Sequence, residues 1–201
     1  MPITIDGTGT ITGATTLAST VASPTFTTPA LGTPASGALT NCTGYAAANL
    51  PAGSVIQVVN IMDGAVATGT TAIPQDNTIP QITEGTQLMT LAITPTSATN
   101  KLRIDVVVNG AGSASNSWAT ALFQDSTANA LAATNYNMAA NNVASYSGFT
   151  HFMTAGTTSA TTFKIRCGTV SAGTFTFNGQ SAGQLFGGVS ASSITITEIK
   201  A

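Results

Sequence analysis

The chain has 201 residues, of which Thr, Ala, Gly and Ser make up 106, while Lys+Arg number five and Asp+Glu seven. Five basic side chains are too few to neutralise a phosphate backbone, so nucleic acid is not an expected partner, and one His with two Cys leaves no zinc site to expect. No run approaches the roughly 20 apolar residues of a membrane-spanning helix, and no basic residue precedes Lys101 to make a secretory signal.

Residues 1–52 open with Ile3-Thr4-Ile5, Asp6-Gly7 and Thr8-Gly9-Thr10-Ile11-Thr12-Gly13, which reads as short strands around a turn. Pro24, Pro29 and Pro34 then recur every five residues, and Thr28–Gly32 (TPALG) is echoed by Thr33–Gly37 (TPASG). Proline supplies no backbone donor, so this stretch is not an interior strand of a sheet. Glycine at every third position is missing, which excludes a collagen helix. Asp6 is the one charge before Asp63. Large apolar side chains such as Ile3, Ile5, Phe26 and Leu31 are too sparse to repay the entropy of ordering this segment alone. They are therefore expected to pack against other chains, either identical copies around an axis or another protein on which the segment lies extended. A boundary is expected at Leu50-Pro51-Ala52-Gly53.

Residues 53–201 carry the other charges and most of the aromatics. Strands are predicted at Ser54–Ile61, Gln87–Thr94, Lys101–Asn109, Trp118–Gln124, Gly148–Met153, Thr161–Cys167, Gly173–Asn178 and Ser193–Lys200. Turn signals such as Asp63-Gly64, Asn109-Gly110 and Asn178-Gly179 separate some of them. Leu102, Ile104, Val106 and Val108 alternate with Lys101, Arg103 and Asp105, giving one apolar and one polar face. Eight strands with no amphipathic helix predict an all-β chain: an extended N-terminal stem or arm followed by an antiparallel, jelly-roll-like sandwich.

The stretch Thr28–Tyr45 (TPALGTPASGALTNCTGY), the opening ITIDGTGTITG, Leu122–Ala133 (LFQDSTANALAA) and the final run Gln184–Lys200 (QLFGGVSASSITITEIK) resemble tail-fibre-type structural proteins of tailed bacteriophages. The resemblance implies a virion protein assembled in the host cytoplasm: a homotrimer with a slender stem and a head of tumour-necrosis-factor-like jelly-roll type. It brings no catalytic motif. Two positions on the particle follow from it. A short tail fibre would join other virion proteins through residues 1–52 and attach to a host-surface glycan. A capsid decoration or head fibre would run the same arm over capsid subunits.

The residues themselves offer no enzyme motif. Gly7–Gly13 misses the dinucleotide fingerprint by one position, and no P-loop or Gly-x-Ser-x-Gly elbow is present. Asp6, Asp63, Asp76, Glu84, Asp105, Asp125 and Glu198 are scattered singly, not paired as a glycan hydrolase requires, so no catalysis and no cofactor are expected. Asp125–Asn129 lacks the Gly and distal Glu of a calcium loop. His151 reads as a hydrogen-bonded histidine of the core or an interface, the alternative being three copies meeting on an axis. Cys42 and Cys167 read as free thiols in a reducing cytoplasm.

Asn135–Tyr146 (NYNMAANNVASY) is the leading binding candidate. It reads as a loop in which Asn135, Asn137, Asn141 and Asn142 offer amides and Tyr136 and Tyr146 offer rings, the mixture that suits sugar hydroxyls and C–H faces. Asn116 and Trp118 form a second candidate. Ile194, Ile196 and Glu198 share one face of the terminal strand, which is expected to lie at the centre of the head or in a subunit contact. Glu198 would face inward against Arg103 or Arg166.

Overall fold

The alternation around Lys101 is realised as a long strand whose Leu102, Ile104, Val106 and Val108 are all buried. The computed structural model describes residues 47–201. Its strands are β1 (Val55–Asp63), β2 (Ala67–Gly69), β3 (Thr86–Ile93), β4 (Lys101–Gly112), β5 (Ser117–Gln124), β6 (Ala132–Asn137) and β7 (Ser145–Thr154). There follow β8 (Thr161–Thr169), β9 (Phe175–Phe177), β10 (Gly179–Gln180), β11 (Gly183–Gln184) and β12 (Ser192–Ile199). The sequence readings that depend on Ile3, Ile5, Phe26, Leu31 and Cys42 lie outside the described residues.

Two antiparallel sheets form the sandwich. In the first, β12 lies between β1 and β4, and β7 pairs with the other edge of β4. Beyond the end of β12, β9 takes over along Gly110–Gly112, and β2 pairs with β9. The second sheet runs β3-β8-β5-β6. Each sheet thus interleaves early with late strands, and the chain crosses repeatedly from one sheet to the other, which is the connectivity of a jelly roll.

The core between the sheets gathers Leu102, Ile104, Ile194, Ile196, Phe175 and Phe177 from the first against Trp118, Leu122, Phe163 and Ile165 from the second. Strand β5 is buried on both faces. Its Ala119, Ala121 and Phe123 point away from the main core into a smaller cluster with Ile73 and, partly, Ile82, both from the connection between β2 and β3. The second sheet therefore carries a cover made from its own chain.

The eight predicted strands correspond to β1, β3, β4, β5, β7, β8, β9 and β12. Two differences matter for function. Residues 132–137 are strand β6, paired with β5 through Trp118↔Tyr136, where the Asn-rich composition reads as loop. An edge strand needs an apolar pattern on one side at most, so its composition hides it. Tyr146 likewise sits inside β7, opposite Asn109.

Candidate functional site

The residues singled out around Asn135–Tyr146 separate into three groups. Asn141 and Asn142 are structural: the Asn141 side chain accepts from the Asn116 backbone N–H at 2.9 Å, and the Asn142 N–H donates to the Gly112 carbonyl at 2.7 Å. Asn116 and Asn142 both occupy the left-handed backbone region, at φ 47° and 59°, which asparagine tolerates better than most residues. Trp118 is fully buried and is not a ligand contact. Its ring lies 4.9 Å from Phe175 and 6.1 Å from Tyr136, and its Nε1–H donates to Ser145 Oγ at 3.0 Å. Asn137 is exposed near the end of β6 and accepts from Asn135 at the long limit of 3.5 Å.

The third group makes a site. Tyr146 is 66% exposed and is the shared wall of two hollows. One, of about 240 Å³, is bounded also by Thr134, Asn135, Tyr136, Ser147 and Gly148 and lies where the edge strands β6 and β7 meet. The other, of about 220 Å³, lies beside Phe186 and has Asn109, Gly110, Ser145 and Ser190 among its walls. Trp118 supports both, backing Tyr136 on one side and holding Ser145 on the other.

Phe186 belongs to a site that the sequence reading missed. It opens a tight turn, Phe186–Gly188, with φ 49° at Phe186, 62° at Gly187 and 90° at Gly188, and its ring is 78% exposed. A non-glycine residue in the left-handed region is disfavoured by roughly 1–2 kcal/mol, and here no burial of the ring offsets it. The signal available in the sequence was the Gly187-Gly188 pair directly after an aromatic residue.

Among the described residues, no charged side chain lines either hollow. Neither the Tyr136 nor the Tyr146 hydroxyl hydrogen-bonds to a described residue. Ser147, only 5% exposed, keeps a buried Oγ without a hydrogen-bond partner among the described residues.

Glu198 faces inward and is fully buried, as its parity with Ile194 and Ile196 requires, but neither arginine meets it. Its Oε1 accepts from Asn100 Nδ2 (2.6 Å), the Thr96 N–H (2.8 Å) and Thr96 Oγ1 (2.8 Å), while Oε2 accepts from Gln57 Nε2 (2.6 Å). Burial pushes its pKa up, yet the hydrogen bonds from Gln57, Asn100 and Thr96 outweigh it and hold the carboxyl below its ordinary range. Arg103 instead pairs with Asp105 at 3.0 Å on the outer face of β4. Arg166 donates to the Glu84 and Gly85 carbonyls, both at 2.7 Å. Ile194 and Ile196 are core residues within one chain and present no surface for a second.

His151 lies on β7 opposite Ile104, half-buried and without a hydrogen bond to a described residue, so within this chain it is not a hydrogen-bonded core histidine. Burial lowers its pKa. Cys167 is free and fully buried, and burial pushes its thiol up to about 12.

The outer face of the first sheet differs from that of the second. Register places three rows across it: Val58–Thr197–Arg103–Phe152, Asn60–Thr195–Asp105–Thr150 and Met62–Ser193–Val107–Gly148. Phe152, Met62 and Val58 are 60%, 69% and 56% exposed. The described chain folds no cover over them.

No protein-family model and no curated protein matches the chain. Solved structures that align with it include Eiger TNF from S. frugiperda, at 10% identity over 70% of this chain and 92% of that one with a TM-score of 0.38. The insecticidal delta-endotoxin Cry8Ea1 from Bacillus thuringiensis aligns at 10% identity over 70% of this chain and 20% of that one, TM-score 0.34. The enzymatically active domain of tailspike protein 4 from bacteriophage CBA120 aligns at 15% identity over 61% of this chain and 19% of that one, TM-score 0.25. All three superpositions are loose.

Proposed function

We propose that this chain is a non-enzymatic structural protein of a phage virion. In this reading it is a short, homotrimeric tail fibre whose jelly-roll head attaches to a host-surface glycan and whose residues 1–52 join it to other virion proteins. The observation that carries it is the bare outer face of the first sheet. Phe152, Met62, Val58 and Val107 lie there among Thr and Ser, with the Arg103–Asp105 pair leaving no net charge in these rows. An exposed apolar patch on an open sheet marks an interaction surface. Small neutral side chains let a second sheet approach closely, and the Arg103–Asp105 pair cancels its own charge within these rows.

The test is the solution mass of the whole protein. A trimer of a 20.0 kDa chain has a mass of about 60 kDa, and Phe152→Glu should convert it to smaller species while leaving the β-sheet circular dichroism unchanged. A monomeric wild type, or a Phe152→Glu trimer, rejects this face as the subunit contact. Labelled antibody on intact particles then reads the position: a dozen or so copies at the tail fit the proposal, and hundreds over the capsid refute the tail assignment.

A further inference from the structure

We infer that the cleft divided by Tyr146 binds an uncharged oligosaccharide, with one sugar ring against Tyr146 and Phe186 and the next against Tyr136. The inference rests on the attachment reading above and names the ligand class and the residues for it.

Three observations converge. The lining contributed by the described residues carries no charge, so a ligand bearing phosphate, sulfate or carboxylate would be desolvated there without a counter-charge. The exposed rings of Tyr146 and Phe186 border one hollow, and the half-exposed ring of Tyr136 borders the other. Aromatic faces of this kind match the apolar C–H faces of sugars. Hydrogen-bonding groups stand beside the rings: the two phenols and the Ser190 hydroxyl.

Size and rigidity fit as well. Each hollow is smaller than the roughly 300–1,000 Å³ that encloses a drug-sized ligand, which suits one ring per hollow and a chain passing over Tyr146. Three of the positions are held in advance: Tyr146 by the β7–β4 ladder, Tyr136 by pairing with β5 over Trp118, and Phe186 by its turn. Preorganised rings lose little freedom on binding.

The experiment uses the whole protein on an immobilised panel of neutral and acidic bacterial polysaccharides, followed by titration with mono- to tetrasaccharides cut from any that bind. Binding to neutral polysaccharides is expected. Phe186→Ala and Tyr146→Ala should each weaken it about tenfold or more. Tyr136→Ala should weaken binding of the disaccharide more than binding of its constituent monosaccharide. Quenching of Trp118 fluorescence should report occupancy. The inference is overturned by binding confined to acidic polysaccharides, or by neutral binding that neither Phe186→Ala nor Tyr146→Ala weakens. A change of oligomeric mass in either variant also overturns it, since the rings then belong to the subunit contact. Retention on bacterial cells separates the two levels. Cells that hold wild type and both variants equally leave the attachment reading standing and the cleft rejected, whereas a wild type that binds neither cells nor polysaccharide rejects both.

Discussion

Glu198 offers the sharpest quantitative test of how the head is held together. It is a fully buried carboxylate with no ion-pair partner among the described residues, stabilised by four short hydrogen bonds from Gln57, Thr96 and Asn100. Glu198→Ala removes the acceptor for all four. Gln57 Nε2 keeps the Thr94 carbonyl at 2.8 Å, and Asn100 Nδ2 keeps Thr96 Oγ1 at 3.2 Å. The donors orphaned are therefore the Thr96 N–H, one hydrogen of the buried Asn100 amide and, more weakly held at 3.4 Å, the Ser97 N–H. At roughly 1–3 kcal/mol for each of the two short-bonded donors, the loss should be about 2–6 kcal/mol. Glu198→Gln keeps an acceptor for Thr96 and Asn100 but turns an amide toward the Gln57 donor, so its cost should fall at about 1–2 kcal/mol. Urea denaturation followed by circular dichroism at neutral pH measures both. The pH dependence has a definite sign. Because the folded-state pKa lies below the ordinary value of about 4.3, the stability from ionised Glu198 is present above that value and is lost as pH falls through the folded pKa. Wild type should lose its advantage over Glu198→Gln in that acid range. An Ala variant within about 1 kcal/mol of wild type, or an advantage over Gln that grows on acidification, refutes the reasoning.

Two further predictions follow from burial and close contact. In a Cys42→Ser background, Cys167, with its thiol pushed up to about 12, should resist a disulfide reagent at pH 8 and react only as urea unfolds the head; stoichiometric labelling of the native protein within minutes contradicts the structure. Gly110→Ala would set a Cβ 2.6 Å from the Thr176 carbonyl oxygen and against the Phe175 ring. It should lower the urea midpoint by the equivalent of about 1–3 kcal/mol, and an unchanged midpoint means that β9 does not lie where described.

The sandwich was legible in the sequence because its longest strands alternate cleanly. Leu102–Val108 and Phe163–Cys167 each give a period of two, and turn signals bound many of the runs. Strand β6 was not legible, because Ala132–Asn137 lies at a sheet edge and leaves its Asn side chains in solvent. The site was half legible for the same reason. Tyr136 and Tyr146 stood out as rings among amides, but Phe186 comes from 40 residues later in the chain and reaches the cleft only through the topology. Trp118 misled because Ser and Asn before it suggest an exposed loop, whereas β5 is enclosed by sheet on one face and by its own cover on the other. The partner of Glu198 was misjudged by assuming that a buried charge needs an opposite charge. Amide, hydroxyl and backbone donors at 2.6–2.8 Å stabilise the ionised form without one.

The scarcity of charge has a structural counterpart. Each charged side chain of the described head is engaged locally. Asp63 and Asp76 cap turns at Ala65 and Thr78, Glu84 accepts from Gln81, and Asp125 accepts from the Thr162 N–H. Lys101 donates to Thr154, Lys164 to the Asp125 carbonyl and Lys200 to the Leu50 carbonyl. Arg103 pairs with Asp105, while Arg166 and Glu198 are held as described above. The charges thus act mainly as connectors between turns and strands. The surface between them is Thr, Ser, Ala and Asn punctuated by a few exposed rings. Such a surface has little repulsion to keep copies apart, because solubility of monomers ordinarily relies on net charge. The same property favours close packing of identical subunits on the bare sheet face and an uncharged ligand in the Tyr146 cleft. One compositional fact therefore bears on both proposals, and each has its own disproof: a stable monomer for the first, and binding confined to charged glycans for the second.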